Sequence, residues 1–204
     1  MKNKNIKKMV GIALFAAIIV VLQVISGVIL RFGSFSVTLC LVPIVIGGMI
    51  YGVAAGSILG AIFGLVCIFN ALVGLDAGTN LLLTGMGGYT CVMTIFLCLL
   101  KGAFGGFISA LSYKLLKNKN QMLAVVLACA LCPIGNTGMF AIGFPLFLMD
   151  ALKTFATASG SDNTLAFLFL TLISWNFFLE LGISLVLIPA VKRIVNIYEL
   201  NYNN

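Results

Sequence analysis

The residues of this sequence that could take part in chemistry are few, and Glu180 is the most informative of them. It closes the stretch Ser-Trp-Asn-Phe-Phe-Leu-Glu at residues 174–180, and no other carboxylate lies inside an apolar segment of the sequence. A carboxylate near the centre of a bilayer costs about 2.5 to 3.5 kcal/mol, so such a residue usually pairs with another group or faces a cavity. The sequence therefore predicts a partner or a polar cavity beside Glu180.

Two further polar residues are predicted to share the depth of Glu180 in the membrane, and a third lies just above them. Counted from the residue that closes each helix on the expected inner side, Lys101 and Glu180 lie 13 residues in and Asn136 lies 14. At 1.5 Å per residue, all three lie about 20 Å above the inner edge. Asn176 precedes Glu180 by one helical turn. We call Lys101, Asn136, Asn176 and Glu180 the polar belt and expect it in the outer half of the membrane.

Two interpretations of the polar belt remain open, and they do not exclude each other. Lys101 and Glu180 are either a structural ion pair, with the two asparagines as hydrogen-bonding contacts between helices, or the floor of a binding pocket open to the outside. The second interpretation is favoured because a structural pair has little need of so many polar groups at one level. Trp175 would then supply an aromatic wall just above Glu180.

The links expected on the outer side hold further candidates for substrate contacts. Arg31, in a glycine-containing link after the first segment, is either an anchor at the membrane interface or a ligand contact. The link at residues 70–89 is rich in glycine and only moderately apolar, which is typical of a loop that returns towards the membrane as a lid. Asp76 and Asn80 on this link either contact a ligand or lie at a solvated loop tip.

Catalysis, metal binding and cofactor binding have no support in the sequence. It contains no histidine, no G-x-S-x-G, no G-x-x-x-x-G-K-[ST] and no cofactor fingerprint. Cys129 and Cys132 match C-x-x-C, but they lie in an apolar helix where cysteine packs as a small hydrophobe. We expect no enzyme, no cofactor and no metal. Nucleic-acid binding is also not expected, since no basic stripe with exposed aromatic residues is present.

The composition sets the class of protein that positions these residues. Of the 204 residues, 62% are hydrophobic and 8% are charged, which predicts an all-α integral membrane protein. The length suits one domain, residues 1–204, built as a bundle of six transmembrane helices. The expected spans are residues 6–30, two shorter segments within 39–72 divided near residues 51–56, then 90–116, 122–149 and 164–191.

The distribution of basic residues predicts the orientation of this bundle. Nine of the twelve Lys and Arg residues lie at the start of the first span, around the link between the fourth and fifth spans, or just after the sixth span. By the positive-inside rule these regions are cytoplasmic, and so are both termini. Arg31 and Lys153 fall on the outer side, and Lys101 lies within a span.

Small residues at helical spacing predict two sites of close helix approach. Ala13 and Ala17 lie one turn apart on the first span and serve either internal packing or the docking of another protein. Gly56, Gly60 and Gly64 form a row along the third span, which indicates close packing against a neighbouring helix.

The order of these features resembles the substrate-binding S component of an energy-coupling factor (ECF) vitamin transporter. The resemblance rests on the basic N-terminus, Ala13-x-x-x-Ala17, the short second span with its glycine-rich turn, the long outer third link, the basic link before the fifth span, and Asn176 with Glu180. It implies a prokaryotic plasma-membrane protein that binds a vitamin near its outer face. It also implies that the Ala13 and Ala17 face contacts a membrane T component, which couples two cytoplasmic ATPases to the S component.

The resemblance leaves the vitamin open among riboflavin, pantothenate, folate and others. Lys101, Asn136, Trp175, Asn176, Glu180, Asn80 and Arg31 are the expected substrate-binding residues. The alternative is a stand-alone secondary transporter or channel for a small organic solute. An inverted repeat would favour that alternative, and none is evident between residues 1–100 and 101–204.

Overall fold

The computed structural model describes the backbone of residues 2–29, 31–32, 35–36 and 39–203, and the side chains of residues 5–28, 39–174 and 176–200. Helices make up nearly all of the described chain. In chain order, the elements are α1 (Lys2–Ile29), β1 (Arg31–Phe32), β2 (Phe35–Ser36), α2 (Leu41–Tyr51), α3 (Val53–Leu72), α4 (Ala77–Thr84), α5 (Gly88–Leu116), α6 (Gln121–Phe147), α7 (Met149–Ala158), α8 (Thr164–Phe167), a π-helix (Leu168–Ile173), α9 (Ser174–Val186) and α10 (Ile188–Asn203).

Five helical segments of the described chain are long and apolar enough to cross a membrane. They are Asn5–Val28, Val53–Leu72, Gly88–Leu116, Gln121–Phe147 and Thr164–Val186. Large apolar side chains point outward from all of them, as expected of a surface that faces lipid. The chain is thus a multi-pass helical membrane protein, as its composition predicts.

Helix α2 is the sixth apolar helix of the expected bundle, and it is short. Its 11 residues extend about 17 Å at 1.5 Å per residue, against about 30 Å for the hydrocarbon core. Most of its side chains are buried, so it is an internal helix of the bundle. Gly52 alone separates it from α3 and has a φ of 96°, a backbone conformation that favours glycine. A count of six spans stays a prediction.

The close packing predicted for the glycine row of α3 is confirmed, and its partner is α5. A Cβ atom at Gly56 would lie 2.6 Å from the carbonyl oxygen of Gly106. At Gly60 a Cβ atom would overlap the carbonyl oxygen of Gly102, and at Gly64 that of Cys98. The backbones of the two helices therefore touch along three turns, with Lys101 directly beside this contact.

Each of the two links that the sequence places on the outer side, residues 70–89 and 150–163, contains a helix. Residues 70–89 hold α4, whose first turn is capped by Asp76: the Thr79 amide donates to Asp76 Oδ1 at 2.9 Å. Residues 150–163 hold most of α7. The first of these helices was missed because a side-chain cap can start a helix within a glycine-rich segment.

The last apolar segment ends earlier than expected and changes its helix type. It was predicted to run over residues 164–191, but the helix stops at Val186 and α10 begins at Ile188. Pro189 explains the break, since proline lacks the amide hydrogen and collides with the carbonyl four residues earlier. The π-helix, Leu168–Ile173, lies in the first half of this segment.

One end of the bundle gathers the basic regions of the sequence. Tyr113 at the end of α5 donates to Glu199 Oε1 at 3.0 Å, and Gln121 at the start of α6 donates to Asn196 and Glu199. The Tyr51 ring, at the end of α2, packs 5.7 Å from that of Tyr198. The start of α1 reaches the same end, because Gly11 lies against the Tyr51 ring. Which side of the membrane this end faces stays a prediction.

Candidate functional site

A cavity lies in the half of the bundle away from the basic regions. It encloses an empty volume of about 820 Å³, counting space open to solvent, between α1, α3, α4, α5, α6, the π-helix and α9. Its lining combines polar, charged and aromatic side chains, which are Gln23, Phe63, Cys67, Asp76, Thr79, Leu82, Thr94, Leu97, Cys98, Lys101, Asn136, Thr137, Phe140, Phe144, Leu148, Leu172, Ile173, Asn176 and Glu180. An apolar pocket with a few converging polar groups is typical of a small-molecule site.

The structure brings all four residues of the polar belt to this cavity. Lys101 extends from α5, Asn136 from α6, and Asn176 and Glu180 from α9. These side chains, predicted to lie at similar depth on three helices, therefore line one internal space. The other expected substrate contacts do not all join them.

Asn80 does not line the cavity. It lies on α4, where its amide nitrogen donates to the carbonyl oxygen of Ala71 at 2.7 Å and so ties α4 to the end of α3. The side chains of Arg31 and Trp175 lie outside the described residues, and their predicted contacts stay predictions.

Lys101 meets an aromatic side chain rather than a carboxylate at close range. Its ammonium lies 5.2 Å from the centre of the Phe140 ring, a cation–π contact. In the described part of the chain, the ion pair within 4.0 Å is that of Lys153 with Asp150, and none joins Lys101 to Glu180 or Asp76. The interpretation of Lys101 and Glu180 as a direct structural ion pair is therefore wrong.

Several polar atoms in the cavity wall have no hydrogen-bond partner among the described residues. They include Asn136 Oδ1, Asn176 Oδ1 and Thr94 Oγ1. Asn136 is 5% exposed and Thr94 is 3% exposed, so bulk water does not replace the missing partners. A buried polar group left without a partner costs about 1 to 3 kcal/mol, which makes these atoms candidates for ligand contacts.

The packing of α5 against α6 explains how Asn136 comes to face the cavity. A Cβ atom at Gly105 would lie 2.9 Å from the Cys132 carbonyl oxygen and 3.2 Å from Asn136 Cβ. Gly105 thus lets α6 approach α5 at the level of Asn136. One turn further, Phe140 stacks on Phe144 with ring centres 4.9 Å apart and planes 21° apart, which forms an aromatic wall next to Lys101.

Sequence reasoning missed Gln23, a polar residue within the apolar run of α1. It is 1% exposed, and its side chain accepts from Cys40 Sγ at 3.1 Å and donates to Cys67 Sγ at 3.3 Å. Asn70 donates to its backbone carbonyl at 2.9 Å. An amide inside a membrane span was the available signal. Gln23 fixes α1 to α3 at the cavity wall.

The aromatic and threonine residues of the wall were also missed. Phe140 lies four residues after Asn136, and Thr137 lies one residue after it, so proximity to the polar belt was the signal for these. Thr94 and Phe63 gave no signal, because a threonine or phenylalanine in an apolar helix is ordinary. Asp76, which the sequence left between ligand contact and loop tip, lines the cavity.

A family model described as the substrate-specific component of ECF transporters matches residues 7–191. No curated protein and no solved structure matches the chain significantly.

Proposed function

Because the chain belongs to the substrate-specific components of ECF transporters, we propose that its cavity captures a vitamin or related micronutrient at the outer face of a prokaryotic plasma membrane. The observation that supports this most strongly is the convergence of Lys101, Asn136, Asn176 and Glu180 on one internal cavity. These four residues are the proposed substrate contacts. Arg31 and Trp175 stay candidates from the sequence.

Uptake is proposed to depend on partner proteins. The chain has no nucleotide-binding motif, so ATP hydrolysis falls to two cytoplasmic ATPase subunits, coupled through a membrane T component. Substrate import would then follow ATP in cells that contain the coupling subunits.

Helix α1 is the proposed docking surface for the T component. Ala13 and Ala17 are both exposed, and large apolar side chains flank them on the same side, among them Val10, Leu14 and Val21. The internal-packing interpretation of this alanine pair finds no support, since neither alanine is buried. Small residues on an exposed membrane helix permit close approach of another helix.

The experiment has two arms. Mass spectrometry of small molecules retained by the detergent-purified protein identifies the substrate, and uptake of that compound is measured in cells with and without the T component and ATPases. We expect a retained vitamin and uptake that requires the coupling subunits. Accumulation by the chain alone in liposomes, driven by a proton or sodium gradient, would contradict the proposal and favour a secondary transporter.

A further inference from the structure

Helix α10 presents two different faces. Val191 and Val195 are buried and belong to the core where α10 packs against α2 and α6. The opposite face holds Arg193, Ile197 and Leu200, which are all exposed. Their spacing of four and then three residues places them on one side of the helix. We call these three residues the α10 stripe: a cation followed by large apolar side chains.

We propose that Arg193 binds the phosphate of an anionic phospholipid from the leaflet at this end of the bundle. Val186 and Leu187, just before α10, are exposed and offer the acyl chains of the lipid an apolar surface towards the membrane interior. The site is separate from the cavity, since Arg193 does not line it.

The position of Arg193 along the last segment places it below the membrane surface. Tyr51, Tyr113 and Tyr198 gather at this end of the bundle, and tyrosine is enriched where a membrane meets water. Arg193 precedes Tyr198 by five residues, which is about 8 Å at 1.5 Å per residue, in the direction of the span. The exposed Ile197 and Leu200 lie beyond Arg193. The guanidinium is therefore surrounded by apolar side chains on both sides along the helix.

A cation in such surroundings needs an anion, and the protein supplies none at close range. Within the described residues, no carboxylate oxygen lies within 4.0 Å of the Arg193 guanidinium. Arginine presents its N–H donors as a planar fork that matches two oxygens of a phosphate. Lipid phosphates are the anions that a bilayer offers at this depth, because a long basic side chain near the end of a span extends towards the headgroups.

The charge of the surrounding surface favours a lipid with a net negative charge. Among the described carboxylates, Glu199 lies at this end, and it accepts from Tyr113 and Gln121. Clusters of basic residues beside a span attract anionic lipids. The exposed lysines at the same end of the bundle are Lys7, Lys8, Lys114, Lys117 and Lys119.

The test measures lipid binding to the full-length protein by native mass spectrometry. The protein is freed of lipid in detergent and titrated with dioleoyl phosphatidylglycerol or dioleoyl phosphatidylcholine, which share their acyl chains and a phosphodiester but differ in net charge. The variants are Arg193→Gln and Arg193→Lys. Lys117→Gln is the matched control, because it removes one exposed positive charge from the same end; Lys117 lies 6.0 Å from the centre of the Tyr113 ring.

We expect phosphatidylglycerol to bind at least about tenfold more tightly than phosphatidylcholine, and Arg193→Gln to remove this difference. Arg193→Lys should weaken binding less, since an ammonium keeps the charge but loses the fork. Lys117→Gln should bind phosphatidylglycerol as the unsubstituted protein does. Thermal unfolding without lipid shows whether each variant is folded, and the loss in Arg193→Lys carries the test if Arg193→Gln is not.

Three results would overturn the proposal. They are equal affinity of the unsubstituted protein for the two lipids, unchanged phosphatidylglycerol binding by Arg193→Gln, and equal losses in Arg193→Gln and Lys117→Gln, which would indicate a diffuse basic surface. If Arg193→Gln kept its lipid affinity but lost capture by the T component in a pull-down, the α10 stripe would be a protein-docking surface instead. No vitamin enters this test, so its failure leaves the function proposed above standing.

Discussion

At the scale of single residues, the proposed binding role of the cavity predicts a cost in the stability of the empty protein. Asn136 and Thr94 are buried and hold polar atoms that bond to no described residue. Their cost, about 1 to 3 kcal/mol each, is recovered when a solute supplies the missing partners. Residues that serve binding rather than folding are expected to weaken the empty protein.

Asn136→Leu tests this trade. The substitution removes an unsatisfied buried oxygen at similar volume, so the ligand-free protein should unfold at an equal or higher temperature. Affinity for the compound identified by mass spectrometry should fall at least about tenfold, or about 1.4 kcal/mol. Both are measured in detergent, by thermal unfolding and by calorimetry.

Asn70→Leu is the contrasting variant for that experiment. Asn70 is equally buried, but its amide donates to the Gln23 carbonyl at 2.9 Å, so this change should lower the unfolding temperature. If Asn136→Leu also destabilised the empty protein and left affinity unchanged, Asn136 would be a structural residue.

Lys101 and Glu180 line one cavity without forming an ion pair, and this changes what a double substitution should do. Replacing one member of a buried pair costs about 3 to 5 kcal/mol, which the double variant recovers. Here we expect Lys101→Met with Glu180→Gln to recover no stability over the single variants. Thermal unfolding of the three variants decides the point, and recovery in the double variant would restore the ion-pair interpretation.

At the scale of elements, the contact of α3 with α5 holds the cavity wall in place. Gly60→Ala should force the two helices apart, since the new methyl group would overlap the Gly102 carbonyl. Overpacking of this kind costs about 1 to 3 kcal/mol. The unfolding temperature should therefore fall, and binding should weaken because Lys101 adjoins Gly102.

Gly182→Ala on α9 is the matched control for Gly60→Ala. A Cβ atom there meets nothing within 4 Å, and alanine favours the helix over glycine by about 1 kcal/mol. This variant should be as stable as the parent protein or slightly more so. Equal behaviour of the two variants would show that the glycine contact is not needed.

The π-helix is an element whose placement has a functional consequence. Leu172 and Ile173 at its end line the cavity, followed by Asn176 and Glu180 on α9. A single turn of π-helix shifts the faces of the residues on either side, and such turns occur often at functional sites. It therefore helps to set which side of the last segment faces the cavity.

At the scale of the whole molecule, the cavity and the exposed face of α1 are separate surfaces. Ala13→Trp and Ala17→Trp should prevent capture by the T component in a pull-down, because a large ring blocks helix approach. Affinity of the isolated chain for its vitamin should be unchanged, since neither residue lines the cavity.

Ala158→Trp, at the exposed end of α7, is the control for the α1 variants. It should assemble with the T component as the parent protein does. Undiminished assembly by both α1 variants would remove the proposed role of that face.

The sequence by itself determined the class of protein, the approximate bounds of α1, α2, α3, α5 and α6, and the residues of the polar belt. It could do so because these features depend on local properties: hydrophobicity over about 20 residues, a constant rise per residue, and the high cost of a charge in lipid. The row of glycines along α3 also follows from helical spacing alone, although its partner helix does not.

The tertiary structure decided which side chains surround the cavity and how they meet. That Lys101 faces Phe140 rather than Glu180 depends on the rotation of α5, α6 and α9 about their axes, which equal depth does not specify. The placement of Asn80 away from the cavity follows from α4 docking on the end of α3. These outcomes arise from contacts between distant segments, and no single segment of the sequence contains them.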